Sequence, residues 1–248
     1  MTKQTKAAGP YTLAVDVGGT GIKASVLDAK GRMAAKRVRA DTPHPLRPQM
    51  LLHVIDGLTS GLPGFDRISL GFPGVVRGGH ILTAPNLGTS DWAGTRLSKL
   101  LSDHFQKPAR ILNDADIQGL GIIEGRGIEM VITLGTGLGT ALFNEGQIAP
   151  HLELAHMPYR KGLTWEEYVS NAARKEIGKK IWNRRVRRVI EMIRTLVHFD
   201  RLHIGGGNAK HLEGDLPEGV TLASNDAGIT GGVRLWDDKV WELVPSSA

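Results

Sequence analysis

Residues 11–17 (YTLAVDV) are mostly apolar and β-branched and run straight into Gly18-Gly19-Thr20-Gly21. That pattern predicts a buried strand ending in a tight turn, with a second strand at 22–27. A turn at Asp28-Ala29-Lys30-Gly31 predicts a third strand over 32–40. After the proline-rich stretch 41–48, helical spacing returns at 49–58, and 68–72 reads as a short buried strand. Residues 77–95, rich in Gly, Pro, Asn and Thr, read as a long functional loop. Then follow a helix at 97–105, a strand at 109–112 and a helix at 117–124. A second strand–glycine–strand unit covers 130–134, Gly135-Thr136-Gly137-Leu138-Gly139 and 140–143. Beyond a loop at 145–163, helices are predicted over 164–197 and a strand over 201–204. Gly205-Gly206-Gly207-Asn208 comes next, and a last helix is predicted to start at Asp226-Ala227-Gly228. Two glycine turns more than 110 residues apart imply two similar halves. Strands mixed with helices indicate an α/β protein in two lobes around a cleft, divided as 11–114 and 115–248.

Charge sharpens this picture. The 248 residues carry a formal +6, yet residues 174–188 (RKEIGKKIWNRRVRR) hold eight basic side chains against Glu176 alone. That segment is +7, so everything else sums to −1. On one helix, Trp182, Val186, Val189, Ile190, Ile193, Leu196 and Val197 share an apolar arc. Lys180, Arg184, Arg187, Arg188 and Arg194 lie opposite, either as a solvated face or as a track for a polyanion. No aromatic platform accompanies them, so nucleic acid is not expected as a partner. Apolar residues make up 41%, and no apolar run approaches the 18 or so that a membrane span requires. The N-terminal residues have no apolar core like a secretory signal, and there are no cysteines. A reducing, cytoplasmic setting is therefore expected. Glycine, at 32 residues, is nearly twice its usual share of about 7%, without a repeat, which points to turns and close backbone approach.

A strand feeding a glycine turn exposes backbone N–H groups that can meet phosphate oxygens. Residues 16–20 (DVGGT) offer this with a carboxylate two residues ahead of the turn, and 135–139 (GTGLG) offer it again. Neither matches the Walker pattern nor a dinucleotide fingerprint. Lys23, beside the first turn, is placed either to reach a phosphate or to be solvated. Between the turns lies the polar run Asn113-Asp114-Ala115-Asp116, in which Asp114 could serve only as a helix cap.

These segments, taken in order, resemble the ROK family of sugar kinases, within the sugar kinase–actin–Hsp70 group with its ribonuclease H-like fold. The resemblance rests on DVGGTGIKASVLD (16–28), GFPGVV (71–76), PNL (85–87), ILNDAD (111–116) and ITLGTGLGTALF (132–143). It continues through ELAH (153–156), EEYVSNAARK (166–175), GGGNA (205–209) and NDAGITGG (225–232). Residues 167–185 (EYVSNAARKEIGKKIWNRR) and the short chain resemble the polyphosphate-dependent glucokinase branch in particular. The resemblance implies phosphorylation of glucose at O6, with Mg²⁺ as cofactor and a homodimer as the assembly. It puts Gly18, Gly19 and Thr20 in the first phosphate loop and Thr133, Gly135, Thr136 and Gly137 in the second. Asp16 would hold Mg²⁺ through water. Asp114 would be the general base, with Asp116 its rival. Asn113, Glu153, His156 and Glu166 would bond sugar hydroxyls, with Asn86 a further candidate; Glu167 competes with Glu166. The cysteine-rich zinc motif of many members is replaced here by MPYRKGLTW (157–165), so zinc is not expected. Leu152 and Ala155 stand where the family's usual glycines would be, at the rim of the sugar pocket.

Three functions remain open on this reading. Inorganic polyphosphate could be the donor, with ATP used as well, and the basic segment favours it. ATP could be the sole efficient donor, for which Gly205-Gly206-Gly207 resembles the nucleotide-side turn. A sugar-responsive repressor would need a DNA-binding segment ahead of the first strand, where ten residues precede Tyr11.

Overall fold

A computed structural model describes residues 9–223 and 227–241. The first lobe starts with β1 (Thr12–Val17), β2 (Gly21–Leu27) and β3 (Val38–Asp41), followed by α1 (Pro48–Thr59) and β4 (Arg67–Phe72). A small hairpin, β5 (Val76–Arg77) and β6 (His80–Ile81), precedes α2 (Thr89–Trp92), α3 (Leu97–Phe105) and β7 (Ala109–Asn113). Helix α4 (Asp114–Leu120) then leads to β8 (Ile128–Leu134), β9 (Leu138–Asn144) and β10 (Gln147–Ile148). A second small hairpin, β11 (Pro158–Arg160) and β12 (Leu163–Thr164), precedes α5 (Trp165–Val169), α6 (Asn171–Ile177) and α7 (Lys179–Val197). Strands β13 (Arg201–Gly205) and β14 (Val220–Leu222) and helices α8 (Ala227–Arg234) and α9 (Asp238–Trp241) complete it.

One sheet has the order β3-β2-β1-β4-β7 and the other β10-β9-β8-β13-β14. In each, the first three strands are antiparallel and the last two join in parallel. The two halves therefore repeat one design, each with a glycine turn joining its central hairpin. Each sheet buries one large core. Phe72, Trp92, Leu13 and Ile55 belong to the first, and Trp165, Trp182, Ile132 and Ile204 to the second. A third cluster around α4 joins Leu112 and Leu120 to Val131 and Phe143, so α4 is the wedge between the lobes.

Several elements differ from the sequence pattern. The third strand covers only 38–41, because Asp28 accepts the N–H groups of Lys30 and Arg32 and holds 28–32 in a turn. Residues 33–35 then join β2 only through an isolated bridge at Met33 and stray bonds from Ala34 and Ser25. The helix expected at 117–124 runs instead from Asp114 to Leu120, since Asn113 accepts the Ala115 N–H and caps it three residues earlier. Loops 77–95 and 145–163 both contain short strands. The helical stretch 164–197 is three helices, broken at Ser170 and at Gly178, whose φ is +78°. On α7 the apolar arc is buried as expected except Val197, which is half-buried, and Leu196, which is 56% exposed. Asp226, expected to start the last helix, lies outside the described residues. No helix among the described residues is long and apolar enough to cross a membrane.

Candidate active site

The cleft between the two sheets holds a cavity of about 440 Å³. Both glycine turns face it. In the first, the Gly18 N–H bonds Gly21 O, and the carbonyls of Gly18, Gly19 and Thr20 are taken by Thr42, His44 and Arg39. In the second, the Gly135 N–H bonds Gly137 O, while Asn208 and the Asn171 N–H take the carbonyls of Gly135 and Thr136. The turns are thus tied back by their oxygens. Among the described residues, the amides of Gly19, Thr20, Thr136 and Gly137 donate to no protein acceptor. They are the donors an anion in the cleft would meet.

Asp114 comes to the cavity because β7 ends at Asn113 and α4 begins at once. Asn113 fixes that junction, accepting the Ala115 N–H at 2.7 Å and donating to Gly74 O at 3.0 Å. Gly71 on β4 leaves room for it: a Cβ there would lie 3.1 Å from the Asp114 Cα. Burial raises the Asp114 pKa and the charge of Asp16 adds to it, reaching about 7. That is where a general base works best near neutrality. Asp116, two residues on, does not line the cavity. It is buried against His151, with Oδ2 3.0 Å from Nδ1.

The far wall carries the polar residues expected for a sugar. Glu153, His156 and Glu166 cluster, with His156 Nε2 3.6 Å from Glu153 and Nδ1 3.7 Å from Glu166. Burial raises the Glu166 pKa. Glu153 is also pushed up by burial, but its contact with His151 prevails and holds it low. Asn86 and Asn113 line the same space, as do Asp16, Lys23 and Thr133. Asp16 and Lys23 form an ion pair at 3.0 Å. The rival candidates Asp116 and Glu167 do not line the cavity, Glu167 closing a capping box with Thr164 instead, and neither do Lys180, Arg184, Arg187 and Arg188. Arg187 donates to the carbonyls of Glu213 and Asp215, and Arg188 pairs with Glu191. Lys180 and Arg184 are exposed.

His151 is a site residue that sequence reasoning missed. Its one signal was a position two before Glu153, which puts both side chains on one side of an extended segment. Its side chain is 8% exposed and sits between Asp116 and Glu153, with Nε2 3.4 Å from Glu153 Oε1. Burial alone would lower its pKa, but the two carboxylates overcome this and raise it to about 10. The stability this gives is complete below pH 6.5 and is lost as pH rises through 10. His151→Gln should cost about 3 kcal/mol near neutrality by stranding two carboxylates. Melting curves should show the gap between wild type and variant closing above about pH 10. A constant gap from pH 7 to 11 would refute the ion pair.

The ROK family model matches residues 12–157. This chain belongs to the ROK family. The polyphosphate glucokinase of Mycobacterium tuberculosis (strain CDC 1551 / Oshkosh) is 29% identical to it over 234 residues, covering 88% of each chain. Among solved structures, the inorganic polyphosphate/ATP-glucomannokinase from Arthrobacter sp. strain KM superimposes with a TM-score of 0.79. It is 29% identical, and the match covers 91% of this chain and 98% of that one. A ROK family glucokinase from Streptomyces griseus, in complex with glucose and AMPPNP, shares the fold at 20% identity and a TM-score of 0.76. The match covers 91% of this chain and 98% of that one.

Proposed function

We propose that this ROK protein is a glucokinase that transfers a phosphoryl group from inorganic polyphosphate to O6 of glucose. The observation that carries the reading is Asp114, a carboxylate with a pKa of about 7 opening onto a cavity walled by two rows of amides. In the reaction, the sugar O6–H gives its proton to Asp114 as O6 bonds to the terminal phosphorus. The bond from that phosphorus to the rest of the donor breaks, and the chain leaves one phosphate shorter. Glu153, His156, Glu166 and Asn113 hold the sugar hydroxyls, and Asn86 borders them. A site built to bond hydroxyls rejects sugars lacking them, because its buried polar groups would go unpaired. The amides of Gly19, Thr20, Thr136 and Gly137 stabilise the charge on the phosphoryl oxygens as it moves.

Asp16 also fits the family's Mg²⁺. Among the described residues no cluster of three or more His, Cys, Asp or Glu could cage a metal. A single cavity-facing carboxylate suits an ion that keeps its waters and takes phosphate oxygens. Bound there, Mg²⁺ would neutralise donor phosphate charge.

The polyphosphate donor is supported by the two relatives above whose names include it. ATP remains a second reading because Gly205, Gly206 and Gly207 line the same cavity, beside the second turn. Glucose 6-phosphate formation measured with each donor at two salt concentrations separates the two. Polyphosphate turnover should fall more steeply with salt than ATP turnover, since a longer polyanion releases more counterions. Turnover with ATP alone would leave an ATP-dependent glucokinase. Glucose binding without turnover on either donor would leave a sugar-responsive regulator.

A further inference from the structure

We propose that a polyphosphate chain too long for the cavity leaves it over the β2–β3 edge of the first sheet, across Lys23, Arg39 and Arg37. This rests on the polyphosphate reading above and says where that donor runs. The +7 segment lies mostly on α7, but the Lys and Arg side chains on the cavity wall are Lys23, Arg37 and Arg39.

Their placement follows from strand register. Gly71 pairs with Asp16, Asp16 with Lys23, and Lys23 with Arg39, so one row crosses β4, β1, β2 and β3. Residues paired across strands share a face, so Asp16, Lys23 and Arg39 project to the same side. The row starts where Asp114 packs over Gly71 and ends at β3, the edge strand. Arg37, two residues before Arg39, continues along that edge.

Arg39 is also built in. Its guanidinium lies flat on Gly21, where a Cβ would come within 2.6 Å of Nε, and it donates to Thr20 O at 2.9 Å. It is thereby fixed against the back of the first phosphate turn. Its other contact is Asp41, at 2.7 Å on a side chain 86% exposed. Such a solvated pair is weak, so the guanidinium can exchange it for a phosphate. On α7, by contrast, Arg187 and Lys179 hold the segment around Glu213.

The test compares Arg37→Gln, which leaves the Arg39 bond to the first phosphate turn in place, with Lys180→Gln/Arg184→Gln, all exposed positions, on long-chain polyphosphate and on tripolyphosphate. The rim variant should raise KM for the long chain about threefold and lower the salt slope by about one, as expected for one lost phosphate contact. Tripolyphosphate, short enough on this path to stay within the cavity, should change far less, and an unaltered KM for glucose would show the site intact. The α7 variant should change the long-chain KM by less than about twofold. Wild-type protein that turns over no polyphosphate would remove the donor reading and this path together. Wild-type turnover with an unaffected rim variant would remove the path alone, as would an equal effect on both chain lengths. An α7 effect as large as the rim's would also overturn it.

Discussion

Asp114→Asn should lower kcat by about a thousandfold, the middle of the range for loss of a general base, while glucose still binds. The amide keeps the size of the carboxylate and can still bond a hydroxyl, but it cannot take the proton from O6. Stability should move the other way. Burial and Asp16 raise the Asp114 pKa to about 7, so its charged form costs the fold stability. The folded state holds its proton more tightly than the unfolded state between about pH 4 and 7, so stability falls across that window as pH rises. The variant should therefore melt above wild type at pH 8 and match it near pH 4. In wild type, kcat/KM should fall as pH drops through about 7, because a protonated Asp114 accepts nothing. Turnover within tenfold of wild type would remove Asp114 as the base, whatever the melting curves show.

Much of the cavity wall was legible in the chain. Strands β1 and β8 were readable because a β-branched run ending in glycine has few other uses, and both turns face the cleft. The choice between Asp114 and Asp116 was not legible locally. Two residues apart on a helix, they point about 200° away from each other. Which one meets the cavity depends on how α4 sits between the lobes. The basic segment shows a similar limit. Periodicity identified the face of α7 that is buried, but an apolar arc says nothing about which neighbour the polar face looks towards. Counting charges therefore gave prominence to α7, while the cavity's Lys and Arg side chains are scattered over Lys23, Arg37 and Arg39. The shortened third strand has a more local cause. A single carboxylate, Asp28, offers the backbone a turn that competes with the ladder.

Gly231→Ala should be strongly destabilising, by adding a single methyl at the base of the cleft. Helix α8 crosses α4 with Gly231 against its backbone. A Cβ there would run into the Ile117 carbonyl oxygen and sit 2.8 Å from the Gly121 nitrogen. These are backbone atoms of α4 and of the residue that caps it, which cannot turn aside as a side chain can. The neighbouring contacts leave α8 little freedom to retreat. Ser69 donates to Gly232 O at 2.6 Å and accepts from Trp236 Nε1 at 2.8 Å, while Arg234 donates to Leu120 O at 2.9 Å. Overpacking of this kind costs about 3 kcal/mol, which for a chain of this size lowers Tm by about 6–12 °C. Function should fail with it, because α4 carries Asp114 at its first turn. A shift there of even about 1 Å can cost a hundredfold in rate. Gly57→Ala is the control: it lies within α1 with nothing within 4 Å of the added carbon, and it should leave Tm unchanged or slightly raised. Where Gly231→Ala is too unstable to purify, melting of the freshly expressed protein in lysate beside Gly57→Ala gives the same comparison. Equal Tm values for the two variants would show that α8 does not hold α4, and that Asp114 is positioned by β7 and Asn113 alone.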